Sequence, residues 1–482
     1  MTTATSTPTP PARPRRTPRH AARRGLALLV GLALVLPLGA AASARPRVPV
    51  HPGASVVTVD RMTLSSGADA ARTVVPAAAT TAPATATVTV DTSRRAQVWR
   101  GVGAALTDAA VVQLGGNETA TRLLFDRARA DGARLDWVRL PLSSTDFSTR
   151  LWTWGWDGRR VTPPAEARRA VDYLLTRALP LNPDLEVVVA PWSAPASMKD
   201  SRSLRGGSLL VGAEASYASM LVAQAAWLRE RGVPVSALSI VNEPGHASDY
   251  TTMRMSDEQL ARVAAAVAPR LRALGVDLWA VDHNWSDRAR VDAVLAQAPG
   301  AHAAAAFHCY GGTPDQMAGL AVPSILTECT GTTDSRWGTF RWDSANLVVR
   351  SVRAGSGGLM FWNAALSTTP GVGLDAGSRW GCKTCRGVLA VAPDRTVTTG
   401  PEHAVLAQLA RAARPGALSV TSSATSWSVW SSAFLRPDGT VGVYGYNDTG
   451  QTQLVRVVVG GTTSRTYAVE AGAVFTWEGT VA

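Results

Sequence analysis

From about residue 98 to residue 414 the chain alternates short apolar, β-branched runs with longer stretches of helical period. Strand-like runs fall at residues 100–106, 137–141, 185–190, 235–241, 277–282, 304–308, 324–327 and 358–362. Amphipathic helices are predicted between them, for example at residues 165–178, 213–231 and 257–274. Repeated β-then-α units predict an α/β fold, a (β/α)8 TIM barrel, over residues 99–414. A doubly wound sheet is the competing topology. No G-x-G-x-x-G opens a helix here, so no dinucleotide fingerprint supports it. After Arg414-Pro415-Gly416 the period shortens, with turn signals at Pro437-Asp438-Gly439, Asn447-Asp448 and Gly460-Gly461. Residues 415–482 therefore read as an antiparallel β module, too short to close a sandwich alone. Residues 86–98 are expected to supply the N-terminal strands of that side β-sandwich.

Ahead of residue 86 the pattern carries no fold. Arg13, Arg15, Arg16, Arg19, Arg23 and Arg24 precede an apolar stretch at 26–38 and then Ala42-Ser43-Ala44, which reads as a signal peptide over 1–44. The apolar stretch is short for a membrane span. An uncleaved anchor and a twin-arginine signal are the alternatives. Residues 45–85, rich in Ala, Thr and Pro, read as a disordered linker. These features predict a secreted protein, expected to be a monomer. Six of the +12 charges lie in residues 1–44, and the remaining Arg residues form no stripe interleaved with aromatics. A nucleic-acid partner is therefore not expected.

In a barrel of this kind, chemistry sits at the C-terminal ends of the strands. Those ends carry Thr107-Asp108, Arg139 with Asp146, Trp192, Asn242-Glu243-Pro244, His283-Asn284-Trp285, His308-Cys309-Tyr310, Glu328 and Trp362-Asn363. Carboxylates and amides that bind hydroxyls, beside aromatic faces that stack on sugar rings, describe a carbohydrate pocket. Any one Trp alone would read as core packing. Glu243 and Glu328 each end an apolar run, and two carboxylates facing one pocket are what a retaining glycosidase needs. Four cysteines are present. A Cys309–Cys329 bridge fits if their strands are neighbours, and a local Cys382–Cys385 bridge also fits; buried free thiols are the alternative. No His, Asp or Glu cluster shows ligand spacing, so no metal or other cofactor is expected. His246 and His302 read as surface residues.

The segments 101–110, 138–148, 190–199, 206–210, 241–244, 307–310, 326–329, 361–366, 382–388 and 414–416 together resemble glycoside hydrolase family 30, which includes glucosylceramidases and endo-β-1,6-glucanases. The last two segments resemble bacterial members. The resemblance runs from about residue 86 to the end. It implies a (β/α)8 barrel with a side β-sandwich and a retaining mechanism. Glu243 would be the acid/base and Glu328 the nucleophile. Asp108, Asp146, Trp192, Asn242, His308, Tyr310, Trp362 and Asn363 would bind substrate, with Arg139 supporting Glu328. The acid is expected to have a raised pKa. Cys309 between His308 and Tyr310, Ala104-Ala105-Leu106 in the first strand segment, and Ser197 where an aromatic is usual depart from the family pattern.

The expected function is hydrolysis of a β-glucosidic bond by an exported enzyme. The chain does not choose among glucosylceramide, β-1,6-glucan, a xyloside and a galactan. A catalytically silent carbohydrate-binding protein, or a wall-adhesion protein on the same barrel, is the alternative.

Overall fold

The computed structural model describes residues 59–66, 74–333, 339–369 and 380–480. Residues 1–44, expected to be a signal peptide, and the start of the expected linker lie outside the described residues. Eight parallel strands close a barrel: β1 (Gly101–Ala105), β2 (Trp137–Pro141), β3 (Glu186–Ala190), β4 (Val235–Ser239), β5 (Asp277–Asn284), β6 (Ala304–His308), β7 (Ser324–Glu328) and β8 (Ser356–Phe361). Each strand pairs with its neighbour in sequence, and β8 closes on β1, with Gly358 opposite Gly101. Strands covered on both sides need apolar residues on both faces, which is why they read as continuous runs.

The helices are set by local signals. Asp257–Ala273 starts at a capping box, where the Ser256 side chain accepts from the Gln259 N–H and the Gln259 side chain accepts from the Ser256 N–H. Glu214–Glu230 packs beside it over β4. Ala165–Tyr173 runs into a π-helical turn at Leu174–Ala178.

Inward-facing residues fill the barrel in layers. The lower layer is apolar and includes Trp137, Val188, Ala237, Trp279, Ala306, Ile325 and Met360. Trp137 and Trp279 meet edge to face at 5.8 Å. Gly358 makes room for this layer, since a Cβ there would lie 2.3 Å from the Trp137 ring.

The second β unit is one long curled sheet enclosing Val88, Val90, Val443, Val455, Phe475 and Trp477. Ala86–Val98 pairs on one side with Leu418–Ala424 and on the other with Gln453–Val459. The linker expectation for residues 45–85 is corrected over residues 59–66 and 74–85. Asp60–Ser65 pairs along its length with Val474–Thr480, and Val75–Pro76 and Ala79–Thr80 add short edge strands. Met62 and Leu64 are buried in the sandwich core. Two apolar residues at period 2 suffice once an edge strand offers a ladder, although composition around them looks linker-like.

Trp99 packs on Phe434 at 5.4 Å, and Gln408 of the helix Pro401–Ala412 bonds Ser65 and Thr63. These contacts join sandwich to barrel.

Candidate active site

The C-terminal ends of the barrel strands surround a pocket of about 370 Å³ lined by Asp146, Trp192, Asn242, Glu243, Tyr310, Glu328 and Trp362, among others. A larger groove of about 720 Å³ lies on the outside of the barrel, with Arg168, Arg169 and Arg177 on its walls. It has one carboxylate, Asp172, so the paired-acid chemistry belongs to the smaller pocket.

Arg139 is the hub beneath that pocket. It is fully buried, and its guanidinium donates to Glu328 Oε2 at 2.5 Å, Asn242 Oδ1 at 2.7 Å and Asp282 Oδ2 at 2.9 Å. The Trp192 ring lies 4.9 Å above it, stacked on Trp362 at 5.2 Å. The other oxygen of Glu328 accepts from the Tyr310 hydroxyl at 3.0 Å. Both oxygens of Glu328 are thereby held in place.

Asp282 reaches Arg139 only because β5 bulges. Val281 and Asp282 have φ of +67° and +65°, and the register against β6 shifts between Val281 and His283. A β-branched residue at positive φ is strained. Trp279 faces the barrel interior and Val281 joins the outer core, so the bulge reverses the alternation and turns Asp282 inward. There its carboxylate also accepts from Thr327 Oγ1 at 2.6 Å and faces His308 Nε2 at 3.1 Å. Glu243 has φ of +48°, and its N–H donates to the Asp282 carbonyl at 3.0 Å. Strained backbone thus lies on both sides of the β4–β5 junction.

Burial opposes charge on His308, but Glu328, Asp282 and Glu243 push it up to about 10. It is an imidazolium at neutral pH and donates to Asp282 and to Glu243 Oε1 at 3.1 Å. Burial acts against the Asp282 carboxylate too, yet Arg139 and His308 hold it well below the usual range. Asp146 is pushed well above its usual value by burial and then by the charges of Glu328 and Glu243.

The two glutamates differ from expectation. Burial raises Glu243, but the His308 bond and the charges of His308, His283 and His246 outweigh it and hold Glu243 low. Burial keeps Glu328 raised in spite of His308 and Arg139. The shift of Glu243 thus runs opposite to the raised acid expected, because His308 is its hydrogen-bond partner. Glu243, with its side chain 14% exposed against 8% for Glu328, is the more open to water. Glu243, His308 and Glu328 place one potential ligand atom each within 4.8 Å of one another. These atoms already have partners, since His308 Nδ1 faces Glu243 Oε1 at 3.1 Å and Glu328 Oε1 accepts from the Tyr310 hydroxyl at 3.0 Å, so a cation there would have to displace both bonds.

Of the residues singled out from the sequence, Asp146, Trp192, Asn242, Glu243, Tyr310, Glu328 and Trp362 meet at the pocket, with Arg139 below. Three do not line it. Asp108 begins the short helix Asp108–Leu114, capped by Thr107, and its carboxylate accepts from the Trp152 indole at 2.8 Å in a separate chamber. Asn363 is buried at φ +68° and accepts from Thr107 Oγ1 at 2.6 Å, tying the ends of β1 and β8. His308 lies beneath Glu243 rather than in the wall.

Cys309–Cys329 and Cys382–Cys385 are both disulfides, with Cα atoms 5.3 and 5.4 Å apart. His246 lines the pocket near Tyr250 instead of lying on the surface. His302 is buried, and burial pushes it down to about 4.

The residues missed were Asp282 and Tyr250, while His283 and Asn284, placed at the end of the fifth strand but given no role, also line the pocket. Asp282 had a signal: a carboxylate at the end of a run that packs on both faces must find a partner. His283 stands 2.9 Å from the Asp287 carboxylate and 3.9 Å from that of Glu243.

Two family descriptions match in chain order: the glycosyl hydrolase family 30 TIM-barrel domain over residues 99–264, and the family 30 β-sandwich domain over residues 416–477. Endo-1,6-beta-D-glucanase neg1 of Aspergillus fumigatus is 26% identical over 416 residues, covering 77% of this chain and 83% of that protein. Endo-1,6-beta-D-glucanase BGN16.3 of Trichoderma harzianum is 28% identical over 379 residues, covering 70% and 75%. Among solved structures, the endo-beta1,6-glucanase BT3312 superposes with a TM-score of 0.77 at 20% identity, covering 88% of this chain and all of that one. SrfJ from Salmonella typhimurium gives 0.75 at 21% identity, with coverage of 88% and 100%.

Proposed function

We propose that this chain, which belongs to glycosyl hydrolase family 30 and is a glycosidase, is a retaining enzyme acting on internal β-1,6-glucosidic bonds. The observation that carries the mechanism is the pair Glu243 and Glu328, with oxygens within 4.8 Å and Glu328 fixed by Arg139 and Tyr310. Carboxyls about 5–5.5 Å apart suit double displacement, since no room is left for a water between the second carboxylate and the anomeric carbon.

Glu328 Oε attacks the anomeric carbon and forms a glycosyl ester as the glycosidic C–O bond breaks. Glu243 gives its proton to the departing oxygen. Water then attacks the same anomeric carbon, Glu243 takes the water's proton, and the C–O bond to Glu328 breaks so that Glu328 leaves as a carboxylate. A sugar in the pocket displaces water from Glu243, the more open of the two, and so raises it toward the acid form that the first step needs. Asn242, held by Arg139, is placed to bond the sugar 2-hydroxyl, and Trp192 and Trp362 offer stacking faces.

The linkage rests on the relatives matched over more than two thirds of their length, including the endo-1,6-beta-D-glucanases of Aspergillus fumigatus and Trichoderma harzianum. Trapping with a 2-fluoro-glucoside and mapping the labelled peptide tests the nucleophile; a label on any residue but Glu328 refutes the assignment. Digestion of a β-1,6-glucan should release short oligosaccharides with β anomers first. Release of glucose alone, or no release, overturns the endo-1,6 reading.

Export is part of the proposal and rests on the basic, apolar and Ala42-Ser43-Ala44 succession. N-terminal sequencing of protein recovered from culture medium should begin at Arg45. Retention of the full chain in the cell would refute it.

A further inference from the structure

The loop bearing Cys382 and Cys385 is a wall of the pocket, and its bridge is accessible. Both cysteines line the cavity with Glu328, Thr330 and Thr332. Cys382 is exposed and Cys385 half-buried, whereas Cys309 and Cys329 are buried at 3% and 1%. The loop is laced to the segment that leaves the end of β7 just beyond Glu328. Thr332 bridges Cys385, the Arg386 N–H donates to the Gly331 carbonyl at 2.8 Å, and the Thr333 N–H donates to the Thr384 carbonyl at 2.7 Å. A second pin is ionic: the Arg386 guanidinium donates to Glu402 at 2.6 Å and to the Thr332 carbonyl at 2.5 Å. Removing the bridge alone leaves the ladder and the ion pair, so the wall loosens without dissolving. Glu328 itself is fixed from elsewhere, by Arg139 and Tyr310.

We infer that the Cys382–Cys385 disulfide is a redox-modification site that sets how tightly the pocket holds its glycan. This rests on the proposed glucan substrate. A dithiol such as dithiothreitol transfers two electrons and two protons to the bridge: the S–S bond breaks, Cys382 and Cys385 become thiols, and the reagent closes to its own cyclic disulfide. Accessible bridges exchange first, which separates this pair from the buried Cys309–Cys329. The shape of the wall changes and the nucleophile stays, so the effect falls on substrate binding rather than on the chemical step.

The test uses the full chain, oxidised and dithiol-treated, with alkylation and peptide mapping to show which cysteines were reduced. KM and kcat are measured on a β-1,6-linked glucose oligosaccharide and on an aryl β-glucoside. With Cys382 and Cys385 reduced, KM for the oligosaccharide should rise about fivefold to tenfold while kcat stays within about twofold. The C382S/C385S variant should show the same KM and no further response to the dithiol. An unchanged KM with both thiols alkylated overturns the inference, as does an equal fall of kcat on both substrates. Failure of the parent reading shows separately, as absence of turnover in the oxidised protein. Oligosaccharide binding is then followed by tryptophan fluorescence in the oxidised and reduced states; equal affinity, or no binding in either, overturns the disulfide role.

Discussion

The same barrel strands build two layers of opposite character. On β2, Trp137 lies in the apolar layer and Arg139, two residues on, in the ionised one; on β6, Ala306 is followed by His308; on β7, Ile325 is followed by Thr327. Period-2 alternation sends each pair inward, so a single step along the axis moves from hydrocarbon to charge. In the lower layer, shape alone stabilises. In the upper layer, Arg139 and His308 stand against Asp282, Glu243 and Glu328 at hydrogen-bond range. Buried charges are tolerable only as a mutually paired set. The two layers should therefore respond differently to loss of a member: gradually below, and by collapse of the set above.

The largest expected break in that contrast is in rate. Glu328→Gln keeps size and a bond to Arg139 but removes the carboxylate proposed as nucleophile, so turnover should fall by about 10³-fold or more with little change in unfolding midpoint. Turnover within tenfold of wild type would remove Glu328 from the mechanism. Next, Arg139→Met leaves Asp282 and Glu328 buried without their cation. Denaturant unfolding should show a loss of about 3–5 kcal/mol along with lost activity; a loss under about 1 kcal/mol would mean the upper layer is not a coupled set.

A pH series tests the same set more gently. His308 is raised to about 10 in the folded protein from an ordinary value near 6.5. Its charge contributes stability fully below about pH 6.5, and that contribution is lost as pH rises through about 10. The stability gap between wild type and His308→Gln should therefore narrow steadily from neutral to alkaline pH. A gap that widens would show that His308 is neutral in the fold. At the small end, Ile325→Val in the lower layer should cost about 0.5–1.5 kcal/mol and leave KM and kcat alone. A large loss of activity from this methylene would deny that the layers act independently.

Much of this architecture is legible along the chain. The eight apolar runs match the eight barrel strands within a few residues, because a strand buried on both faces cannot hide its composition. Glu243 and Glu328 stand out for the same reason, as carboxylates ending such runs. Edge strands are harder to see. Asp60–Ser65 buries only part of itself and gains the rest of its stability from the ladder of Val474–Thr480, which no local pattern announces.

What the sequence by itself determined is therefore the period of burial: the barrel, the β module, and the strand ends where acids gather. Only the tertiary structure decided which of those residues meet. Asp108 and Asn363 sit at strand ends like the others, but a capped helix turns one toward Trp152 and a left-handed backbone turns the other toward Thr107. Asp282 and His308 enter the site through a bulge and a charge set assembled from four strands. The physical reason is one of range. Hydrophobic burial is a local, periodic property of the chain, whereas the protonation and placement of a buried charge depend on partners scores of residues away.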